Sequence, residues 1–328
     1  MLTGSILRLF FLIGLISCVI LPVPALAMDN PITYSIVHLS DTQNLATYYP
    51  DTYNLTFSGL ESRRVQDNIS AVIITGDLVN VWNKKNEWNA YLRARNQTSI
   101  PVFAIAGNHD TDSGKNYQYY TLYTGEPKNS YVTSVGDCDL VGINYEKKTL
   151  PASEFSRIRS ILANSTRSCA IIATHWYMNK DKTLSPLGKD IDKDLIVKPT
   201  VILMGHIHTD FVQQRNISGF PVVEDMTNYQ NGIPGGNRDK NYSAGTIYTV
   251  TSASGQVTKI TARVIHIFPS LSFDPEKIVF ERDLPVPVSN STFSVLPIQE
   301  ECSALDLSCG LQALAEQNWS FISSLIPG

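Results

Sequence analysis

Pro101-Val-Phe-Ala-Ile-Ala106-Gly107-Asn108-His109-Asp110 decides how the chain is to be read. A short apolar run, opened by a proline, stops at a glycine. Three polar side chains that suit metal binding or proton transfer follow at once. A brief apolar run bounded by turn residues has the pattern of a buried strand. In sheets covered by helices, ligands collect outside the carboxyl ends of the strands. The decisive question is therefore whether other strands of this chain end in the same way.

Four of them do. Residues 32–40 are a β-branched run that leads into Asp41-Thr-Gln43. Ala71-Val-Ile-Ile-Thr75 leads into Gly76-Asp77, Cys169-Ala-Ile-Ile-Ala-Thr174 into His175, and Thr200-Val-Ile-Leu-Met204 into Gly205-His206-Ile-His208. Helical patterns lie between them: 56–69, of mixed polarity, then 84–95, then 151–164. The last opens with a proline and carries Phe155, Ile158, Ile161 and Leu162 at helical spacing. Continuous apolar strands between helices predict an α/β fold with sheets covered on their faces. Residues 245–282 alternate Thr, Val, Ile and Ser with turn residues and predict two or three antiparallel strands.

The chain has 6 histidines, and His109, His175, His206 and His208 all fall in these loops. A His-x-His pair on an extended segment points its imidazoles to opposite sides, which suits one ligand for each of two neighbouring metals. A carboxylate such as Asp77 has two oxygens and can bridge both ions. Asp-x-Gln and Gly-Asp mean little alone. All five endings, in this order and each after an apolar strand, point to one metal site.

These motifs resemble the calcineurin-like metallophosphoesterases over about residues 33 to 265. The resemblance implies a four-layer αββα sandwich with mixed central sheets and two divalent metal ions, with Mn²⁺ favoured and Mg²⁺, Fe²⁺ or Zn²⁺ as alternatives. By position, one metal would be held by Asp41, Gln43, Asp77 and His208. The other would be held by Asp77, Asn108, His175 and His206. His109 would contact the scissile phosphate and assist the leaving oxygen, with Asp110 orienting it. The implied chemistry is hydrolysis of a phosphate mono-, di- or pyrophosphate ester by a hydroxide bridging the two ions. The chain shows no Walker loop and no Gly-x-Ser-x-Gly elbow, and Gly232-Ile-Pro-Gly-Gly236 reads as a plain loop.

Two positions depart from the commonest family pattern. Gln43 stands where a histidine is usual. Its amide oxygen is a harder donor than imidazole and shifts preference toward Mn or Mg over Zn or Fe. Asn80 stands where the purple acid phosphatase branch has a tyrosine ligand, which argues against an Fe(III)–tyrosinate centre.

Composition sets the outer bounds. The chain has 328 residues, 43% hydrophobic and 17% charged, with 26 basic and 30 acidic side chains and a formal charge of −4. That excludes a disordered chain or a polytopic membrane protein and gives no basic field for nucleic acid. Residues 1–27 read as a signal peptide, with an apolar stretch followed by Ala25 and Ala27 before a cut. The alternatives are a retained membrane anchor and a lipoprotein cut before Cys18. Residues 28–284 would form the phosphoesterase domain, and 285–328 a Pro/Ser-rich linker with an amphipathic tail.

Export leaves four cysteines in an oxidising compartment, with Cys138–Cys169 and Cys302–Cys309 as the expected pairs. Eight sequons, at Asn54, Asn68, Asn96, Asn164, Asn216, Asn241, Asn290 and Asn318, would suit a secreted glycoprotein or arise by chance. The expected partner is a phosphorylated small molecule or nucleotide-like substrate. Nucleic acid is not expected, and a membrane only if the N-terminal segment is retained.

Two inserts are candidates for substrate contact. Residues 111–131 hold Tyr117, Tyr119, Tyr120, Tyr123 and Tyr131, which would form either an aromatic wall or a packing patch. Residues 176–194, with Trp176 and Tyr177, would form either a lid or a solvated loop. The functional alternative to an enzyme is a non-catalytic, exported metal-binding or interaction module of the same fold. His109-Asp110 separates the two, because a binding module needs no such pair beside its metals.

Overall fold

The computed structural model describes residues 30–144, 149–208, 211–226, 243–268 and 272–283. All of them fall in the first of two compact units, Met1–Leu284; the second is Pro285–Gly328. The expectations for the signal peptide, the 232–236 loop, the tail and Cys302–Cys309 lie outside the described residues.

The strands are β1 (Ile32–Leu39), β2 (Ile69–Thr75), β3 (Val102–Ile105), β4 (Tyr131–Val135), β5 (Cys138–Ile143), β6 (Cys169–Thr174), β7 (Thr200–Met204), β8 (Phe211–Ile217), β9 (Phe220–Met226), β10 (Ser243–Ala253), β11 (Gln256–Phe268) and β12 (Ser272–Asp283). The helices are α1 (Gln43–Tyr48), α2 (Pro50–Arg63), α3 (Lys85–Arg95), α4 (Gln118–Thr124), α5 (Ala152–Asn164) and α6 (Pro186–Asp194). One sheet has the order β12-β11-β10-β1-β2-β3 and the other β4-β5-β6-β7-β9-β8. Both are mixed. β1, β2 and β3 run parallel, as do β5, β6, β7 and β9, while β10 and β4 join them antiparallel.

Strand periodicity builds the layers. Along β1, Tyr34 and Ile36 enter the core between the sheets, while Val37 and Leu39 enter the core under α2 and α3. Along β6, Ile171 and Ala173 face the other sheet, while Ala170 and Ile172 pack toward α5 and α6. Each sheet thus has a helix-covered outer face and an inner face against its partner, a four-layer αββα sandwich. Parallel strands covered on both faces read as unbroken apolar runs, as these do.

The predicted helix over 56–69 is displaced. The structure has α2 ending at Arg63, and Ile69 already opens β2. The reason is local: Pro50 occupies the first helical turn, where its missing N–H costs nothing. Residues 245–282 fall in three antiparallel strands, within the two or three expected. Cys138 lies directly opposite Cys169 in the β5–β6 register. The two form a buried disulfide with Cα atoms 4.6 Å apart.

The tyrosine insert is chiefly packing. Tyr117 and Tyr120 are buried in the helix-side core, and Tyr119 and Tyr123 pack against it. Tyr119 stacks on Tyr123, which stacks on Trp88. The 176–194 insert is likewise packed. Tyr177 is buried, and Pro186 and Ser185 open α6 with the Ser185 hydroxyl accepting from Gly188 N–H. None of the helices among the described residues is long and apolar enough to cross a membrane.

Candidate metal centre

Five loops at the carboxyl ends of β1, β2, β3, β6 and β7 converge. Asp41, Asp77 and His175, all buried, each place one ligand atom within 4.8 Å of the others. Around them the other polar strand endings gather. Asn108 Oδ1 lies 3.1 Å from His175 Nε2 and 3.0 Å from His206 Nδ1, and His175 Nε2 is 3.4 Å from Asp77 Oδ1. His208 Nε2 is 3.3 Å from Asp41 Oδ1. Gln43, buried at the start of α1, donates its Nε2–H to Asp77 Oδ2 at 3.3 Å. The structure therefore brings Asp41, Gln43, Asp77, Asn108, His175, His206 and His208 into one cluster, in which His206 N–H also donates to Asp41 Oδ2 at 3.2 Å.

The loops are bent to do this. Asp41, Asp77, His206 and His208 have φ of 56°, 53°, 78° and 51°, the left-handed region that non-glycine residues rarely enter and that Asp and His tolerate better than most. The His206–His208 loop is thus not the extended segment expected from the sequence. Ile207 N–H bonds back to Gly205 O at 3.1 Å, and the tight turn sends the two imidazoles to different partners, His206 to Asn108 and His175, and His208 to Asp41. Gly76, at φ +95°, is required twice over, since a Cβ there would lie 2.5 Å from His175 Nδ1.

The donor chemistry fits cations. His175 donates Nδ1–H to Thr75 O at 2.7 Å, which turns Nε2 toward Asp77 and Asn108, as a metal-ligating histidine requires. His206 Nδ1 comes within 3.2 Å of that Nε2. Burial, and then His175, push the His206 imidazole down to about 4. Burial opposes charge on His175, but Asp77, Asp41 and the Thr75 oxygen together outweigh it and lift the imidazole to about 9. Burial works against the Asp77 carboxylate too, yet His175 and His109 hold it well below the usual range. His208 is raised by Asp41 against the cost of burial. Asp41 and Asp77 favour positive charge among these atoms, against the cost of burial. Gln43 Oε1 is a buried acceptor without a hydrogen-bond partner among the described residues, as befits a ligand oxygen.

His109 stands apart from this cluster. Its side chain is 40% exposed, with Nε2 4.0 Å from Asp77 Oδ2. Its Nδ1 lies 2.7 Å from Asn80 O, so Asn80, not Asp110, orients the ring. Asp110 is fully buried and accepts N–H bonds from Leu78, Val79 and Gly107 at 2.8, 3.1 and 2.8 Å. Burial and the neighbouring Asp77 charge push its carboxyl up to about 7 against those bonds. The expected His–Asp pairing fails because the Asp110 side chain points back into the two loops that carry Asp77 and Asn108. The sequence could show that Asp110 follows His109, but not which way it points.

The sequence model of the calcineurin-like phosphoesterases matches residues 34–210, more than half of the chain. The chain belongs to that family. It is 27% identical over 233 residues to the uncharacterized protein YvnB of Bacillus subtilis, covering 62% of this chain and 18% of that protein. The chain thus spans less than a fifth of this relative's length. Among the solved structures that share its fold are two phosphatases. Purple acid phosphatase PPD1 from yellow lupin seeds has a TM-score of 0.52 at 14% identity, over 74% of this chain and 53% of its own. A dimetal phosphatase from Danio rerio has a TM-score of 0.52 at 11% identity, over 74% and 98%.

Proposed function

We propose that this protein is an exported phosphoesterase with two divalent metal ions, acting on a phosphorylated small molecule or nucleotide-like ester. The observation that carries the reading is the convergence of Asn108 Oδ1, His175 Nε2, His206 Nδ1 and Asp77 Oδ1 beside Asp41, Gln43 and His208. Asp41, Gln43, Asp77 and His208 would hold one ion, and Asp77, Asn108, His175 and His206 the other. When bound, such a pair supplies Lewis-acid stabilisation of phosphoryl oxygens and an activated water.

The chain's own residues do the rest. Asp77 offers one oxygen to each half. Thr75 O fixes the His175 tautomer, and Asp110 ties the Asp77 and Asn108 loops together. His109, accessible and held by Asn80, is placed to donate a proton or a hydrogen bond to the departing oxygen. Its Nδ1–H is committed to Asn80 O, which leaves Nε2 for substrate. Export is supported by the N-terminal apolar pattern and by the Cys138–Cys169 bridge, since disulfides persist in oxidising compartments.

The test is a panel of substrates, a nitrophenyl phosphate, its bis-ester and a nucleotide diphosphate sugar, with Mn²⁺, Mg²⁺, Fe²⁺ and Zn²⁺ added in turn to chelator-stripped protein. Turnover restored by metal on at least one substrate is expected. Two bound ions without hydrolysis of any ester would favour a binding module. Full turnover of metal-free protein would refute the mechanism.

A further inference from the structure

Between the apolar inter-sheet core and the metal centre lies a buried polar cluster that the proposed chemistry does not use. His38 on β1 and Asp225 on β9 face each other across the two sheets, 0% and 1% exposed, with His38 Nδ1 2.6 Å from Asp225 Oδ2. His38 Nε2 lies 2.9 Å from Thr75 Oγ1 at the end of β2. The second oxygen of Asp225 accepts the Thr246 hydroxyl at 3.4 Å. Strand alternation puts them there. Tyr34 and Ile36, Ala71 and Ile73, and Val223 all enter the inter-sheet core, and His38, Thr75 and Asp225 are the next inward positions of the same strands. An apolar side chain at these places would continue the core. A buried ionisable pair is weak evidence of a gain in stability, because well-packed apolar replacements are often as stable.

Thr75 joins this cluster to the site. Its hydroxyl meets His38, and its main-chain oxygen accepts His175 Nδ1–H at 2.7 Å. A continuous path thus runs Asp225–His38–Thr75–His175, from the second sheet to the first and back. The same Thr75 oxygen lies 3.2 Å from Ser40 Oγ, whose hydroxyl donates to Asp41 Oδ2 at 2.8 Å. We infer that His38 and Asp225 are positioning residues, which pin the two sheets at their carboxyl ends and hold Thr75 so that His175 Nε2 faces Asp77 and Asn108. The metal centre is assembled from both sheets, with Asp41, Asp77 and Asn108 at strand ends of one and His175, His206 and His208 at strand ends of the other. The separation of these two groups is set where the sheets are pinned.

This inference rests on the metal-centre reading, and the experiment separates the two. Mn²⁺ binding to metal-free full-length protein is measured by calorimetric titration, with thermal midpoints and kcat and KM on the best ester found for the wild type. The variants are His38→Leu, His38→Gln, Asp225→Asn and Thr75→Val, with Val250→Ala as a control elsewhere in the inter-sheet core. His38→Leu should weaken Mn²⁺ binding about tenfold or more, since outer partners of metal ligands typically carry 10–100-fold. Its kcat should fall with KM little changed. His38→Gln, which keeps a group able to reach Thr75, should recover part of the loss. Val250→Ala should lower the midpoint and leave affinity unchanged. If His38→Leu fails to fold, Thr75→Val, which spares the His38–Asp225 pair and cuts only its link to the site, must show the affinity loss. Unchanged affinity in Thr75→Val and the His38 variants would overturn the positioning role while leaving the metal centre standing. A wild type that binds no Mn²⁺ would overturn both.

Discussion

His109 Nδ1 lies 2.7 Å from the main-chain oxygen of Asn80. This half-exposed histidine beside the cluster is therefore aimed by the loop that follows Asp77, not by its own neighbour Asp110. Because His109 has no place among the converging donor atoms, its loss should spare the metals. His109→Ala is expected to lower kcat by about 10²–10⁴, the range for general-acid partners, with metal content by elemental analysis unchanged. His206→Ala and Asp77→Asn should lose metal instead. An empty site in His109→Ala would reverse this division of roles.

Asp110 carries a different expectation. It is buried and accepts N–H bonds from three backbone positions in two loops. Asp110→Ala would strand those donors, and each buried unsatisfied group costs about 1–3 kcal/mol. The expected result is a clear drop in thermal midpoint together with weaker metal binding, because the loops of Asp77 and Asn108 lose their common tie. A variant as stable as wild type with only kcat reduced would return Asp110 to a catalytic role.

Much of this was readable from the chain because parallel, doubly covered strands announce themselves as apolar runs. The stretches ending at Thr174 and Met204 give their strands residue for residue, and the polar endings mark the site. Less readable were the elements without such a signal. The β8–β9 hairpin carries Arg215 and Glu224, which pair with each other and with the Tyr177 hydroxyl, and its polarity hid it. His38 passed as one more residue of a β-branched run. Only its alternation with Tyr34 and Ile36 could have placed it between the sheets, and its partner Asp225 lies 187 residues away. Side-chain direction at Asp110 and the left-handed turns at Asp41, Asp77, His206 and His208 depend on tertiary contacts that no local pattern encodes.

The Cys138–Cys169 bridge closes a sequence separation of 31 between adjacent parallel strands. The loop-entropy relation gives roughly 3–4 kcal/mol for a loop of that size. Peptide mapping without reduction should return this pair. Cys138→Ala/Cys169→Ala should lose about that much stability in denaturant titration, with the sheet retained. A link from Cys138 to Cys302 would contradict the structure.

Glu126 makes stability depend on pH. Burial lifts its carboxyl from the ordinary 4.5 to about 7, against the Ala104 N–H bond and the Arg95 charge. The folded protein therefore holds a proton there that the unfolded chain releases. Stability from this group falls as pH rises between 4.5 and 7. Glu126→Gln should show a smaller drop in thermal midpoint between pH 5 and pH 8 than wild type, and should exceed wild type at pH 8. Parallel pH curves for the two proteins would remove Glu126 as the source.

Gln43 is expected to set the metal preference. Its Oε1 is buried without a partner among the described residues while its Nε2 rests 3.3 Å from Asp77 Oδ2. In the proposed assignment, Gln43 with Asp41, Asp77 and His208 would offer three oxygens and one nitrogen, and Asp77, Asn108, His175 and His206 two of each. Oxygen-rich sets favour Mn²⁺ and Mg²⁺, and imidazole-rich sets favour Zn²⁺. The Gln43 half should hold its ion more weakly and lose it first on dialysis, and Mn²⁺ should restore turnover better than Zn²⁺. Gln43→His should raise Zn²⁺ affinity at that half and shift the metal preference of turnover the same way. Gln43→Ala should lower Mn²⁺ affinity while the second ion stays in place. If Gln43→Ala leaves both affinity and preference unchanged, the amide serves Asp77 only as a hydrogen-bond donor, and the first ion rests on Asp41, Asp77 and His208.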